Sequence, residues 1–405
     1  MLVALAKLGS AEMVGQFSLG LAVTAPVITL SSLGLREAQA TDARHEYLFG
    51  DYLGLRISMT ALAFLVIFGI VIIVGYPAEV TMVILAVGLA KAFEAISDTF
   101  YGLFQRYERM DRVALSLVIK GPLSLVALSA GVYLTDSVFW GTMGMALTWA
   151  LILLGCDAYN GWRIIKACQG TDNAPLTPYS RQQTLRPRWN PATLFRLAWL
   201  TLPLGLTGLL RSLETNIPRY FVEGQLGAAI LGIFTALAYF DRAGGIVVSA
   251  LGRSATPRLS HYYAAKNSTA FRSLLLKMAG MGLLLGGAGV LIAAVGGKEL
   301  LTLFYRPEYA RQDVFILLMA AAGMHYINQF IMCGPTAARR FRVQLVLYSI
   351  IAVVLVLLCS VLIPAQGLIG AALALLITRC IEFVGVLAIT LYVQLMLRGR
   401  VSGRS

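Results

Sequence analysis

Three times the chain sets a basic residue three positions before a glutamate inside an apolar run: Lys91/Glu94, Arg211/Glu214 and Arg379/Glu382. At this spacing two side chains share a helix face and can pair. Inside hydrocarbon a charge costs about 2.5–3.5 kcal/mol on insertion scales, so such residues face protein or a wet cavity. Two readings stay open: self-neutralised pairs that only pack helices, or a hydrated cavity whose bases exchange glutamate for an anionic ligand. Asp98 and Lys120 lack a partner at this spacing in their own helices. They are expected to pair with each other, or to share a proton or a substrate phosphate. Lys91, Glu94, Asp98, Tyr101 and Gln105 fall within an arc of about 80° at 100° per residue, a polar stripe that should not face lipid. Asp241 and Arg242 add further charge, and His325 beside Tyr326, Asn328 and Gln329 reads as a hydrogen-bonded core histidine, with a proton carrier as the alternative.

Other chemistry has no foothold. The run Gly296-Gly297-Lys298-Glu299 lacks the spacing and the hydroxyl of a phosphate loop. The five cysteines form no CxxC pair, and no HExxH or GxSxG occurs. No catalytic residue, metal or cofactor is expected, and the chain does not read as an enzyme. A membrane glycan polymerase or ligase would need a sizeable outer loop, and the longest here, about 297–313, is short. Its Tyr305-Arg-Pro-Glu-Tyr309 reads as an interfacial aromatic anchor.

The elements that must position these charges are membrane helices. Of 405 residues, 58% are hydrophobic and only 13% charged, and the mean hydropathy is +0.76. A soluble domain carries about 25% charge, so a soluble globule is excluded. Apolar runs at about 13–35, 55–76, 80–104, 113–133, 137–157, 197–217, 228–250, 273–296, 314–334, 343–363 and 367–395 are each long enough to span a bilayer. They are continuous, unlike the alternating strands of a barrel, so the fold class is an all-α integral membrane protein. The net charge of +13 concentrates in alternate connections, which the positive-inside rule places in the cytoplasm together with the C-terminus. The excess therefore marks a membrane side, and no nucleic-acid partner is expected.

An internal repeat organises the spans. Leu8-Gly9-Ser10-Ala11 with Gly15-Gln16-Phe17 resembles Leu226-Gly227-Ala228-Ala229 with Gly232-Ile233-Phe234. Two such helix mouths suggest two half-molecules related by an axis along the membrane normal. The second copy is preceded by a full span, the first only by the stub Met1–Leu8, so the first helix is expected to be largely missing from a six-plus-six plan. The expected division is an N-terminal lobe over 1–157, a cytoplasmic linker over 158–195, rich in proline and arginine and read as a tether, and a C-terminal lobe over 196–405. Gly282 and Gly286 form a GxxxG packing face. Pro26, Pro122, Pro203 and Pro218 interrupt spans.

With these residues in view, the chain resembles the polysaccharide-export (Wzx-type O-antigen or repeat-unit) flippases of the multidrug/oligosaccharidyl-lipid/polysaccharide (MOP) superfamily. The resemblance rests on Leu8–Phe17, Leu35-Arg36 with Ala40-Thr41-Asp42, Tyr101-Gly-Leu-Phe-Gln105 with Glu108-Arg-Met110, and the Gly227–Phe234 repeat. It implies two pseudo-symmetric six-helix lobes around a central cavity. It also implies a substrate, undecaprenyl-diphosphate-linked oligosaccharide, flipped across the bacterial inner membrane with H+ or Na+ coupling. Bilayer lipids and other polysaccharide-assembly membrane proteins would be its partners. Lys91, Lys120, Arg211 and Arg379 would then bind phosphate, and Glu94, Asp98, Glu214 and Glu382 would complete the cavity. A drug/cation antiporter or a lipid-II flippase of the same superfamily is the alternative. The antiporter should have a more acidic and aromatic cavity, and the lipid-II flippase two additional helices.

Overall fold

The computed structural model describes residues 1–42, 46–169, 184–338 and 341–402. Among them no β-strand occurs; the chain is built of α1 (Leu2–Leu8), α2 (Ala11–Ser32), α3 (Leu35–Thr41), α4 (Phe49–Val74), α5 (Ala78–Arg106), α6 (Met110–Thr135), α7 (Val138–Ile152), α8 (Tyr159–Gln169), α9 (Pro191–Leu226), α10 (Ala228–Ala238), α11 (Phe240–Ala264), α12 (Ser268–Phe304), α13 (Gln312–Ala337) and α14 (Phe341–Ser402). A π-helical turn, Leu153–Ala158, joins α7 to α8. Ten helical stretches are long and apolar enough to cross a membrane. The last of them, Val343–Met396, has 54 residues. At 1.5 Å per residue it is about 80 Å long, more than twice the hydrocarbon thickness. Gly367, at φ 60° and ψ −130°, breaks it into two crossings, which yields the eleven spans read from the sequence. The molecule is a multi-pass membrane protein.

The helix mouths of the repeat are real breaks. Gly9 ends α1, and Ser10 caps α2 by accepting the Met13 N–H at 3.2 Å. Gly227, at φ 86°, separates α9 from α10. A residue with a Cβ would be strained at that φ.

By their packing the helices form two compact units, Met1–Asn216 and Ile217–Ser405. In the first unit α5 is the hub, touching α2, α3, α4, α6 and α7. Gly20 on α2 admits α5 closely, since a Cβ there would lie 2.9 Å from Val87 Cγ2. In the second unit α13 is the hub, packed by α10, α11, α12 and α14. Gly282 lies against the Ile327 backbone of α13, where a Cβ would meet Cα at 3.1 Å, and Gly286 meets Gly323 still more closely. The GxxxG face is therefore a contact between α12 and α13. Hub and rim divide as bilayer proteins require: Leu65, Ile73, Val118, Leu134, Leu284 and Val361 are exposed apolar residues on rim helices, which in a bilayer face lipid at no cost.

Two readings of connections change. The first part of the expected linker is helical, because α8 continues from the π-turn to Gln169; residues 170–183 lie outside the described residues. The far end is docked on the first unit. Arg188 N–H donates to the Gly50 carbonyl at 2.9 Å, and a Cβ on Gly50 would meet the Arg186 carbonyl oxygen at 2.6 Å. The second difference concerns Tyr305 and Tyr309. They stack on each other at 5.3 Å between ring centroids and are buried, so they pin the loop to protein and do not anchor it in an interface. Burial, then the adjacent Glu308, pushes the Tyr309 phenol above its ordinary range.

Candidate functional site

The first unit gathers its ionisable groups on α5 and the helices that pack on it. Lys91 Nζ reaches Glu94 Oε2 at 2.6 Å within α5, and the pair is part-exposed at 26% and 41%. Local spacing alone produces it. Asp98 behaves differently. Its Oδ1 takes Arg36 Nη1 at 3.1 Å and its Oδ2 takes Arg56 Nη2 at 3.5 Å. Two guanidinium groups thus share one carboxylate, and the expected Asp98–Lys120 pair does not form. Arg56 is only 1% exposed, and its Nε donates to Thr99 Oγ1 at 3.1 Å.

Both arginines are placed by short connections. Leu33 and Gly34, at φ 51° and 60°, turn the chain from α2 into α3. Gly102 then lets α3 approach α5, since a Cβ there would lie 2.5 Å from Gln39 Oε1 and 3.4 Å from Arg36 Cα. Arg56 sits two turns into α4, whose start is fixed by Asp51 accepting the Leu48 N–H at 3.0 Å. Arg36 lies in the connection before the 55–76 run and Arg56 at the very start of that run, so neither stands out as a charge inside a span. The spare polar face of α5 at Asp98 is the signal that could find them.

Lys120 is buried on α6, with Nζ 4.6 Å from the centre of the Trp149 ring. Lys91 approaches the same ring at 5.4 Å, so one indole on α7 holds two ammonium groups by cation–π attraction. The ring is itself fixed, because Trp149 Nε1 donates to Ser124 Oγ at 2.6 Å and Ser124 donates on to the Lys120 carbonyl. Tyr101 completes the stripe, bonded to Ser116 Oγ at 2.8 Å and lying 5.6 Å below the Arg36 guanidinium. On α9 the third base–glutamate set divides by environment: Arg211 is exposed and Glu214 buried.

The second unit holds a drier set. Arg379 Nη1 meets Glu382 Oε2 at 2.9 Å, with the side chains 11% and 5% exposed. Asn328 Nδ2 on the hub helix α13 donates to Glu382 Oε2 at 3.1 Å and to the Arg379 carbonyl at 2.9 Å. Its neighbours are also engaged: Tyr326 OH donates to the Asp241 carbonyl at 2.8 Å and Gln329 Nε2 to Ser249 Oγ at 2.9 Å. The polar residues around His325 therefore tie α13 to α11 and α14.

Solved structures share this arrangement of helices. A multidrug resistance MATE family transporter of the MOP superfamily, in an inward-facing conformation, superposes with a TM-score of 0.76 over 100% of this chain and 94% of its own, at 14% identity. The fold is that of the MOP superfamily. The lipid II flippase MurJ, in an inward closed conformation, shares the MOP fold with a TM-score of 0.70 over 100% of this chain and 89% of its own, at 13% identity. In sequence the chain is 28% identical over 385 residues to the capsular polysaccharide biosynthesis protein CapF of Staphylococcus aureus, covering 95% of this chain and 92% of CapF. No family model matches it. On this fold the charges of the first unit gather around the hub α5, and in the second Asn328 of the hub α13 bonds Arg379 and Glu382 of α14.

Proposed function

We propose that this chain is a flippase that moves undecaprenyl-diphosphate-linked oligosaccharide, the precursor of a surface polysaccharide, from the inner to the outer leaflet of a bacterial cytoplasmic membrane. The observation that carries the reading is the similarity to a capsular polysaccharide biosynthesis protein along 95% of the chain, on a MOP fold. The side-chain chemistry agrees with it. A diphosphate crossing about 30 Å of hydrocarbon needs donors in place of water, because burying its charge unshielded is prohibitive. Guanidinium and ammonium groups supply charge-assisted hydrogen bonds to phosphate. In the first unit Arg36 and Arg56 share one carboxylate, and Arg56 Nη1, buried without a hydrogen-bond partner among the described residues, is a donor left for an anion.

In this reading Lys91, Lys120, Arg211 and Arg379 take phosphate or sugar hydroxyls, with Arg36 and Arg56 added. Glu94, Asp98, Glu214 and Glu382 hold those bases when no substrate is bound. A proton or sodium gradient drives alternating access. The C-terminus lies in the cytoplasm, on the side of the basic connections, where the polysaccharide-assembly partners that supply substrate would meet it. The drug/cation antiporter reading is favoured by the likeness to MATE transporters, with a TM-score of 0.76 to one of them, and a likeness at 14% identity speaks to fold alone. A host cell depleted of this chain should lose surface glycan and accumulate lipid-linked precursor, and restoring the chain should reverse both. Unchanged surface glycan together with gained sensitivity to cationic drugs would replace the flippase by the antiporter.

A further inference from the structure

One buried acid is used by none of the pairs above. Asp157 sits in the π-helical turn after α7 with 0% exposure, and neither carboxylate oxygen makes a hydrogen bond of good geometry among the described residues, although the Ser97 and Ser116 hydroxyls lie near it. Ser97 Oγ on α5 is likewise buried without one. A π-turn of this kind re-aims one residue of an otherwise regular helix and recurs at functional sites. Here it turns a carboxyl into the seam that α5, α6 and α8 make with the turn.

The groups around it are few. α5 presents Ser97, and α6 presents Ser116 and Lys120, whose ammonium is close enough for its charge to act on Asp157. Tyr101 on α5 also feels Asp157, together with Glu94 and Asp98. From the turn itself comes the Cys156 thiol. Also on α6, Arg112 is occupied by α8, donating to Asn160 Oδ1 at 3.1 Å. No ion pair within 4 Å joins Lys120 to Asp157, and Lys120 instead rests on the Trp149 ring. A bare carboxylate with two unsatisfied oxygens in such a place is costly, and the usual remedy is to take up a proton.

We infer that Asp157 is a proton-binding site of the first unit, in which the carboxyl donates its proton to Ser97 Oγ and, on release, is compensated by Lys120. Binding and release form and break one O–H bond, with a water molecule that reaches the seam as the other partner. A protonated Asp157 releases Lys120 to the Trp149 ring and to any anion held near it. An ionised Asp157 draws Lys120 back. The inference rests on the carrier reading for why a proton should move, but binding is testable without transport.

Infrared difference spectra of the whole chain in lipid nanodiscs, taken in sodium-free buffer between acid and alkaline pH, test it. The expected result is one carbonyl band at the high-frequency position of a carboxyl in apolar surroundings. It should vanish in Asp157→Asn and persist, with its midpoint moved, in Asp157→Glu. Lys120→Gln should shift the midpoint to higher pH, because the carboxylate loses a nearby cation. A band unchanged in Asp157→Asn, or no such band at any pH, overturns the site. So does a saturable response to sodium at fixed pH that Asp157→Asn removes, since the carboxylate then holds a metal ion. Should Asp157→Asn not fold, the Trp149 emission of a chain with Trp140, Trp162, Trp189 and Trp199 replaced by phenylalanine gives a second readout. It must titrate with pH in the presence of Lys120 and lose that titration in Lys120→Gln. In the unmodified chain, no infrared band with substrate transport present defeats the proton site alone; the band present with no substrate transport defeats the carrier reading alone.

Discussion

The two units solve the burial of charge in different ways, although each gathers it around its hub helix. In the second unit Arg379 and Glu382 meet at one carboxylate oxygen that the Asn328 amide also bonds, while Asn328 Oδ1 stays buried without a hydrogen-bond partner among the described residues. In the first unit Asp98 is shared by Arg36 and Arg56, while Lys91 and Lys120 lean on one tryptophan. A dry, compact set is suited to holding helices in register. The shared set keeps a spare donor, Arg56 Nη1, buried without a hydrogen-bond partner among the described residues, and it is partly open, since Arg36 and Asp98 are 29% and 32% exposed. The first unit is the place to look for anion handling, and the second for a structural clasp.

Cutting one partner from the clasp challenges this contrast most severely. Glu382→Ala leaves Arg379 buried beside an amide, and loss of one partner of a buried pair costs about 3–5 kcal/mol. Thermal unfolding in detergent should show a larger fall than for any of the single changes below. The double change Arg379→Met with Glu382→Leu should recover most of that loss. If it recovers stability but not transport, the clasp also serves the substrate and the contrast weakens.

Arg56→Ala comes next. It empties a fully buried site and strips Thr99 and Asp98 of a donor at about 2–4 kcal/mol, as a cavity and a broken charged hydrogen bond together. Transport should fall with it, and Arg56→Lys should restore part of the stability but not bidentate phosphate binding. Gly286→Ala pushes α12 off Gly323 of α13, an overpacking cost of about 1–3 kcal/mol that should lower the melting temperature without altering substrate selectivity. The smallest effect on stability belongs to Lys91→Met, because a part-exposed pair contributes about 0.2–1 kcal/mol. Transport by that variant decides more than its stability does. A near-normal melting temperature with lost transport marks the Lys91–Trp149–Lys120 cluster as functional.

How much of this is legible in the sequence follows the range of each interaction. The spans, the Gly9 and Gly227 breaks and the Lys91–Glu94 and Arg379–Glu382 pairs depend on residues within a few positions of one another, so periodicity exposes them. The Asp98 partners lie 62 and 42 residues away, on helices whose orientation toward α5 no local pattern specifies. Asn328 is visible in the sequence only as a polar neighbour of His325, and its role as the third member of the clasp requires α13 to be packed on α14. Asp157 reads as the last residue of a span, because nothing in Leu153–Ala158 signals a π-turn that carries the carboxyl inward.

The decisive measurement places the purified chain in proteoliposomes and offers it fluorescently labelled undecaprenyl-diphosphate oligosaccharide and, separately, a cationic dye. An imposed ion gradient should move the lipid-linked sugar between leaflets, Lys120→Ala should abolish the movement in protein that still inserts, and the dye should not be moved. Dye transport without movement of the lipid-linked sugar, or sugar movement unchanged in Lys120→Ala, would contradict a carrier that handles its anionic headgroup through the first unit.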